Sequence, residues 1–200
     1  MAQEKIEFTH FARLVLDALE EAGIDYLIGG AVAVWAWGAP RSTQDFDVVI
    51  DLPGNRIMQL SRELEKRDML VPAEVILELF INTDTDLPIN AIHLQTGHKA
   101  ELFLIPAGGV FRKVAFERRC MVDFGPPLGQ VYVHTPEDLI LNKVHYFSLS
   151  EQSKHVRDIA SILELLDSKI DMDYLEEWAA ELHLTETWTQ IQALIAQEDE

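Results

Sequence analysis

Cysteine is almost missing from this chain: Cys120 is the only one in 200 residues, so neither an intramolecular disulfide nor a cysteine-rich zinc site can form. Beside Met121 and Val122, Cys120 itself reads as a small, semi-buried residue. Positive charge is also scarce, with 16 Lys and Arg against 34 acids and a formal net charge of −18. Duplex phosphates are held mainly through Lys and Arg, so broad, sequence-blind DNA binding is not expected. A nucleotide phosphate or an RNA end stays compatible, provided that metal ions and a few local cations supply the positive field. Long apolar runs are lacking too. A membrane span needs roughly 20 apolar residues, and even Tyr26 to Gly38 is interrupted by glycines. Met1 to His10 mixes acids, a lysine and a histidine without the apolar stretch of a signal peptide. A soluble, cytoplasmic protein is expected. There is no repeat, and no low-complexity segment apart from a short acidic tail. The remainder, 48% hydrophobic and 25% charged, suits a globular chain of one large domain or two small ones.

Apolar periodicity lays out the order of elements. Phe8, Phe11, Leu14, Val15, Leu19 and Ala22 recur at helical spacing, and Gly23 follows as a C-cap. Tyr26-Leu27-Ile28 is a short strand ending at Gly29-Gly30, and Ala31 to Trp37 is small and apolar enough for a buried helix in which Trp35 and Trp37 are core residues. Gly38-Ala39-Pro40 stops that helix. The polar loop Arg41-Ser42-Thr43-Gln44 leads into Asp45 to Asp51, whose branched residues and alternation predict a strand ended by Leu52-Pro53-Gly54. Helical spacing returns over Ile57 to Leu70 and again over Ala73 to Phe80. Two strands, Ile89 to Leu94 and Ala100 to Ile105, flank a loop at Gln95 to Lys99, and Pro106 to Gly109 is a turn. Phe111 to Arg119 is cationic and ambiguous, and Val131 to His134 is a last short strand. Thr135-Pro136-Glu137-Asp138 opens a helix, with Thr135 as N-cap and Pro136 at the first helical position. The pattern is helical from there on, broken near Ser150 and near Lys169 to Asp171.

Within that order Asp45 and Asp47 stand two apart on a strand, so both side chains leave one face while Phe46 and Val48 leave the other. Two carboxylates so close repel unless a cation neutralises them, and magnesium prefers such oxygen ligands. Alone, the pair equally fits a solvated edge strand. The glycines add weight: without Cβ they let backbone N–H groups approach a phosphate at the start of the Ala31 helix, where the helix dipole favours negative charge. A strand ending in Gly29-Gly30, a helix, and a strand bearing Asp45 and Asp47 after a basic loop supply both halves of a nucleoside triphosphate site. His93, His98, His134, His145 and His155 lack ligand spacing and are given no metal role.

Leu27-Ile28-Gly29-Gly30 followed by Asp45-Phe46-Asp47 resembles the signature of the polymerase-β-type nucleotidyltransferase superfamily. Arg41-Ser42-Thr43, Thr135 to Ile140 with Lys143, and Lys154 through Arg157-Asp158 to Leu166 are similar to its branch of nucleotidyltransferase-like toxins from abortive-infection and toxin-antitoxin systems. The resemblance runs from Tyr26 to Leu166. It implies an α/β (α+β) fold with a small mixed, twisted sheet flanked by helices, divided into a core of residues 1–134 and a helical C-terminal region of residues 135–200. It further implies a third acid on a neighbouring strand, matched by Glu101, where related proteins usually carry aspartate. Asp45, Asp47 and Glu101 would be catalytic and hold two magnesium ions, with manganese as the alternative. Gly29, Gly30, Arg41, Ser42, Thr43 and Lys143 would bind the nucleoside triphosphate. The implied reaction moves a nucleoside monophosphate to an acceptor hydroxyl on RNA, protein or a small molecule, in a toxin with an antitoxin partner. Two rivals stand beside it: an antibiotic-modifying nucleotidyltransferase, and a protein that keeps the fold but only binds nucleotide or a partner.

Overall fold

The computed structural model describes residues 7–82, 86–105 and 109–198. In chain order the elements are α1 (Phe8–Ala22), β1 (Asp25–Ile28), α2 (Gly30–Trp37), β2 (Asp45–Asp51), α3 (Ile57–Glu65), α4 (Ala73–Ile81), β3 (Ile89–Ile92), β4 (Lys99–Leu104), α5 (Val110–Glu117), β5 (Cys120–Asp123), β6 (Gln130–Val133), α6 (Pro136–Ser150), α7 (Ser153–Leu166), α8 (Met172–Glu181) and α9 (Thr185–Glu198). The strands form one mixed sheet in the order β3-β4-β2-β1-β6-β5. β2 lies antiparallel to β1 and parallel to β4, β6 is parallel to β1, and the outer strands β3 and β5 run antiparallel to β4 and β6. Among the described residues no helix is long and apolar enough to cross a membrane.

The helix-period stripe of α1 puts Phe11, Ala12, Val15, Leu16 and Leu19 fully out of solvent. Gly23 ends it in the left-handed conformation, with Gly23 N–H donating to Glu20 O and Ile24 N–H to Leu19 O, as a chain reversing out of a helix requires. That stripe packs with Phe46, Val48 and Ile50 of β2, Ala100 and Leu102 of β4, and Leu60 and Leu64 of α3 in the larger core. A second core joins Ala33 and Val34 of α2 to α6, α7, α8 and α9 through Leu139, Ile140, Val144, Ile159, Ile162, Leu175 and Trp188. α2 therefore touches both cores, which fixes its N-terminus against the sheet.

Two stretches depart from the sequence reading. The helix expected over Ile57 to Leu70 stops at Glu65, because Lys66 to Asp68 turn, Asp68 takes a positive φ, and Met69 bridges to His93. The ambiguous stretch after Phe111 splits into α5 and the unforeseen β5, whose half-buried alternation on a sheet edge leaves little apolar signal. The turn at Pro106 to Gly109 lies, apart from Gly109, outside the described residues. The start of α6 is as read: Thr135 Oγ1 accepts from Asp138 N–H, with Pro136 in the first turn. Trp35 and Trp37 pack against the larger core, and their indole N–H groups donate to Arg41 O and His134 O.

Candidate active site

Strand alternation builds this site. In β2 the core face takes Phe46, Val48 and Ile50, which leaves Asp45 and Asp47 on the opposite face. In β4 the core face takes Ala100 and Leu102, which leaves Lys99 and Glu101. The parallel register then sets Asp45 beside Lys99 and Asp47 beside Glu101. Lys99 Nζ donates to Glu101 Oε1 at 2.6 Å and lies 3.0 Å from Asp45 Oδ1. Asp45, Asp47 and Glu101 are thus brought to one place. As they stand, no three His, Cys, Asp or Glu side chains among the described residues are grouped to ligate a cation, and Lys99 joins Asp45 to Glu101.

The glycine pair divides its work. Gly29 N–H donates to Asp47 O at 2.9 Å, which ties the end of β1 to the acid-bearing strand. Gly30 has a φ of +57°, and a Cβ built there would stand 1.7 Å from Asp47 Oδ2. The bare backbone at Gly30 is what lets the Asp47 carboxylate sit against the start of α2. Helix geometry leaves the N–H groups of the first turn without intrahelical partners, and Ala33 N–H makes the first such bond, to Gly29 O. The first-turn amides and the helix dipole therefore face the carboxylates' neighbourhood.

Burial, then the charges of Glu101 and Asp45, pushes the Asp47 carboxyl up to about 6, against the opposing pull of Lys143. Hydrogen bonds from Lys99 to Glu101 and Asp45 hold its ammonium above the usual lysine value. An oxygen-only donor set with one crowded, hard-to-ionise carboxyl fits a magnesium-type cation, whose charge relieves that crowding.

A cavity of about 620 Å³ opens over these groups, lined also by Arg41, Ser42, Thr43, His134, Lys143 and Lys154. Ser42 is exposed in it. Thr43 serves the backbone instead: its Oγ1 donates to Asp45 O and accepts from Asp45 N–H, which fixes how Asp45 enters β2. The Arg41 guanidinium makes two bonds to Asp158, at 2.8 and 3.0 Å, and Lys143 Nζ donates to Asp158 Oδ2 at 2.7 Å. These two cations meet Asp158 rather than open solvent. Burial favours the neutral acid at Asp158, but Arg41 and Lys143 outweigh it and hold the carboxyl below its usual range. Burial pulls Lys143 below its usual value, with Asp158 opposing.

Asp158 is the residue that the sequence reading undervalued. Its neighbour Arg157 is exposed while Asp158 is 3% exposed, so the two do not act as a pair. The signal was its phase: Asp158 falls on the helical stripe of His155, Val156, Ile159 and Ile162, and an acid on that buried stripe calls for a cationic partner. Replacing it by alanine strands the Lys143 ammonium, itself 4% exposed. Breaking a buried pair from one side costs roughly 3–5 kcal/mol, so Asp158→Ala is expected to melt roughly 10 °C lower at this chain length. A thermal-unfolding scan within about 2 °C of wild type would show that the triad carries no such load.

This arrangement of sheet, helices and acid-bearing strands is the nucleotidyltransferase fold. In particular, the chain is similar to the solution structure of the antibiotic-resistance factor ANT(2″)-Ia, with 15% identity, 96% of each chain covered and a TM-score of 0.55. It is also similar to the crystal structure of ANT(2″)-Ia in complex with adenylyl-2″-tobramycin, with 16% identity, 88% of this chain and 98% of that one covered and a TM-score of 0.60. A third likeness is to the crystal structure of an antigenic nucleotidyltransferase-like protein from Paracoccidioides brasiliensis, with 16% identity, 90% of each chain and a TM-score of 0.52. No family model and no curated protein matches the chain.

Proposed function

We propose that this chain transfers a nucleoside monophosphate from a nucleoside triphosphate to an acceptor hydroxyl, with a divalent metal held by Asp47, Asp45 and Glu101. The observation that carries this reading is the seating of Asp47: its carboxylate rests against the bare Gly30 at a helix start while the register places it beside Glu101. A turnover site needs phosphate-binding amides and metal-binding acids within a few ångströms of each other, and the closeness of the Gly30 helix start to Asp47 supports that reading. A bound divalent ion would supply charge neutralisation at the phosphates and a more acidic acceptor hydroxyl.

The chain's own groups have distinct tasks. The first-turn N–H groups of α2, from Gly30 onward, receive a phosphate oxygen. Ser42 and the rim lysine Lys154 offer further contacts to the triphosphate, both being exposed at the cavity. Thr43 holds Asp45 in place, and Arg41 and Lys143, joined through Asp158, lend positive potential while staying in position. Glu101 stands ready to take the acceptor's proton.

The likeness to a structure solved with adenylyl-2″-tobramycin supports a small-molecule acceptor over a polymer. A toxin role with an antitoxin partner rests on the sequence resemblance. The binding-only reading draws on Lys99, which already neutralises part of the acid cluster. The test supplies labelled nucleoside triphosphates and magnesium with separate pools of total RNA, protein and small-molecule extract. Pyrophosphate release with label on an acceptor is expected, falling by more than about 100-fold in folded Asp45→Ala. Nucleotide binding without turnover over every pool would favour the binding module.

A further inference from the structure

Lys99 carries a consequence for how many cations the site holds. Resting on the nucleotidyltransfer reading above, we infer that the Lys99 ammonium takes the place of a second metal ion, so that the loaded site holds a single divalent cation. The in-register pairing of β2 and β4 sets Lys99 and Glu101 on the same face as Asp45 and Asp47. Lys99 Nζ lies 2.6 Å from Glu101 Oε1 and 3.0 Å from Asp45 Oδ1. An ion shared between Glu101 Oε1 and Asp45 Oδ1 would bind oxygen at about 2.1 Å and so would need the space that Nζ fills, which leaves Asp47 and the other oxygens of Asp45 and Glu101 to hold the single ion.

Glutamate at position 101 makes this bridge reachable. Lys99 and Glu101 are two apart on one strand, roughly 7 Å along it, and the extra methylene of glutamate over aspartate helps close that gap. Charge counting agrees. Asp45, Asp47 and Glu101 bring three negative charges when ionised and Lys99 returns one positive charge, so a single divalent ion completes neutralisation before any phosphate arrives. Of the other cavity cations, Lys143 and Arg41 are bonded to Asp158 and Arg112 to Asp86, and Lys154 stands exposed at the rim. Lys99 is a positioning residue: it acts through the Asp45 and Glu101 carboxylates that it fixes.

Equilibrium dialysis of the full chain with manganese and a non-hydrolysable nucleoside triphosphate counts ions per bound nucleotide. Wild type and Lys99→Arg are expected to retain about one manganese per nucleotide, and Lys99→Met about two, a doubling that a merely structural lysine would not produce. Two ions in wild type, or one in Lys99→Met, overturns the inference while leaving nucleotidyl transfer standing. If wild type retains neither nucleotide nor manganese, the functional reading itself fails, and this inference with it.

Discussion

Gly30→Ala is expected to fold and to lose nucleotidyl transfer by at least about 100-fold, the scale set by misplacing a reacting group by about 1 Å. The added Cβ would lie 1.7 Å from Oδ2, 2.6 Å from Cγ and 2.8 Å from Cβ of Asp47. A long surface side chain would swing aside, but Asp47 is short and rooted in a central strand paired on both edges. Either its carboxylate rotates out of the site, or the start of α2 lifts away from the sheet. Backbone conformation adds to the contact, since the φ of +57° costs a non-glycine residue about 1–2 kcal/mol. A melting point lower by roughly 5 °C should accompany the loss.

Gly29→Ala is the informative comparison, because the two glycines are neighbours with different duties. At Gly29 a Cβ would meet His134 Cδ2 at 3.5 Å, an ordinary contact, and the φ of −114° suits any residue. Gly29→Ala should therefore melt close to wild type while Gly30→Ala does not. Equal melting points with undiminished transfer in Gly30→Ala would show that Asp47 does not need its present seat.

The contrast between the glycines marks how far the sequence could be read. Periodicity placed α1, β1, β2 and the start of α6, because each buries one face and its apolar spacing records that face. It also put Asp45 and Asp47 on one side of β2, since alternation needs no tertiary knowledge. Pairing is a different matter. That Glu101 sits beside Asp47, and Lys99 beside Asp45, depends on the register of strands some fifty residues apart, which no local pattern encodes. Resemblance supplied Glu101; nothing local supplied Lys99, which reads as the last residue of the Gln95 to Lys99 loop. Arg41, Lys143 and Asp158 were each visible as charged residues, yet their union needs α6 and α7 folded back over the loop after α2. The edge strand β5 escaped because half-buried alternation at a sheet margin resembles a solvated stretch.

Asp47→Asn should separate chemistry from stability more sharply than any other change in the site. Transfer is expected to fall by about 1,000-fold or more, because the neutral amide neither holds a cation nor offsets its charge. Stability should move the other way. The Asp47 carboxyl is pushed up to about 6 from an ordinary 3.8 by burial and by the charges of Glu101 and Asp45. Between those values the folded chain binds more protons than the unfolded one, so the contribution of Asp47 is fully present below about pH 3.8 and is lost as the pH rises through 6. Each pH unit in that window is worth at most about 1.4 kcal/mol, and solvent at the cavity mouth trims the total to about 2 kcal/mol. With a chelator present, Asp47→Asn should match wild type near pH 4 and exceed it by about 2 kcal/mol at pH 7.5. Magnesium should then raise the wild-type melting point and leave the variant nearly unmoved, since neutralising Asp47 is what the cation contributes to folding. Denaturant titrations across that pH range, repeated with magnesium, measure both effects. A wild type that gains stability relative to Asp47→Asn as the pH rises without metal would mean that the Asp47 carboxylate already has a cationic partner, and the site would not need an ion there.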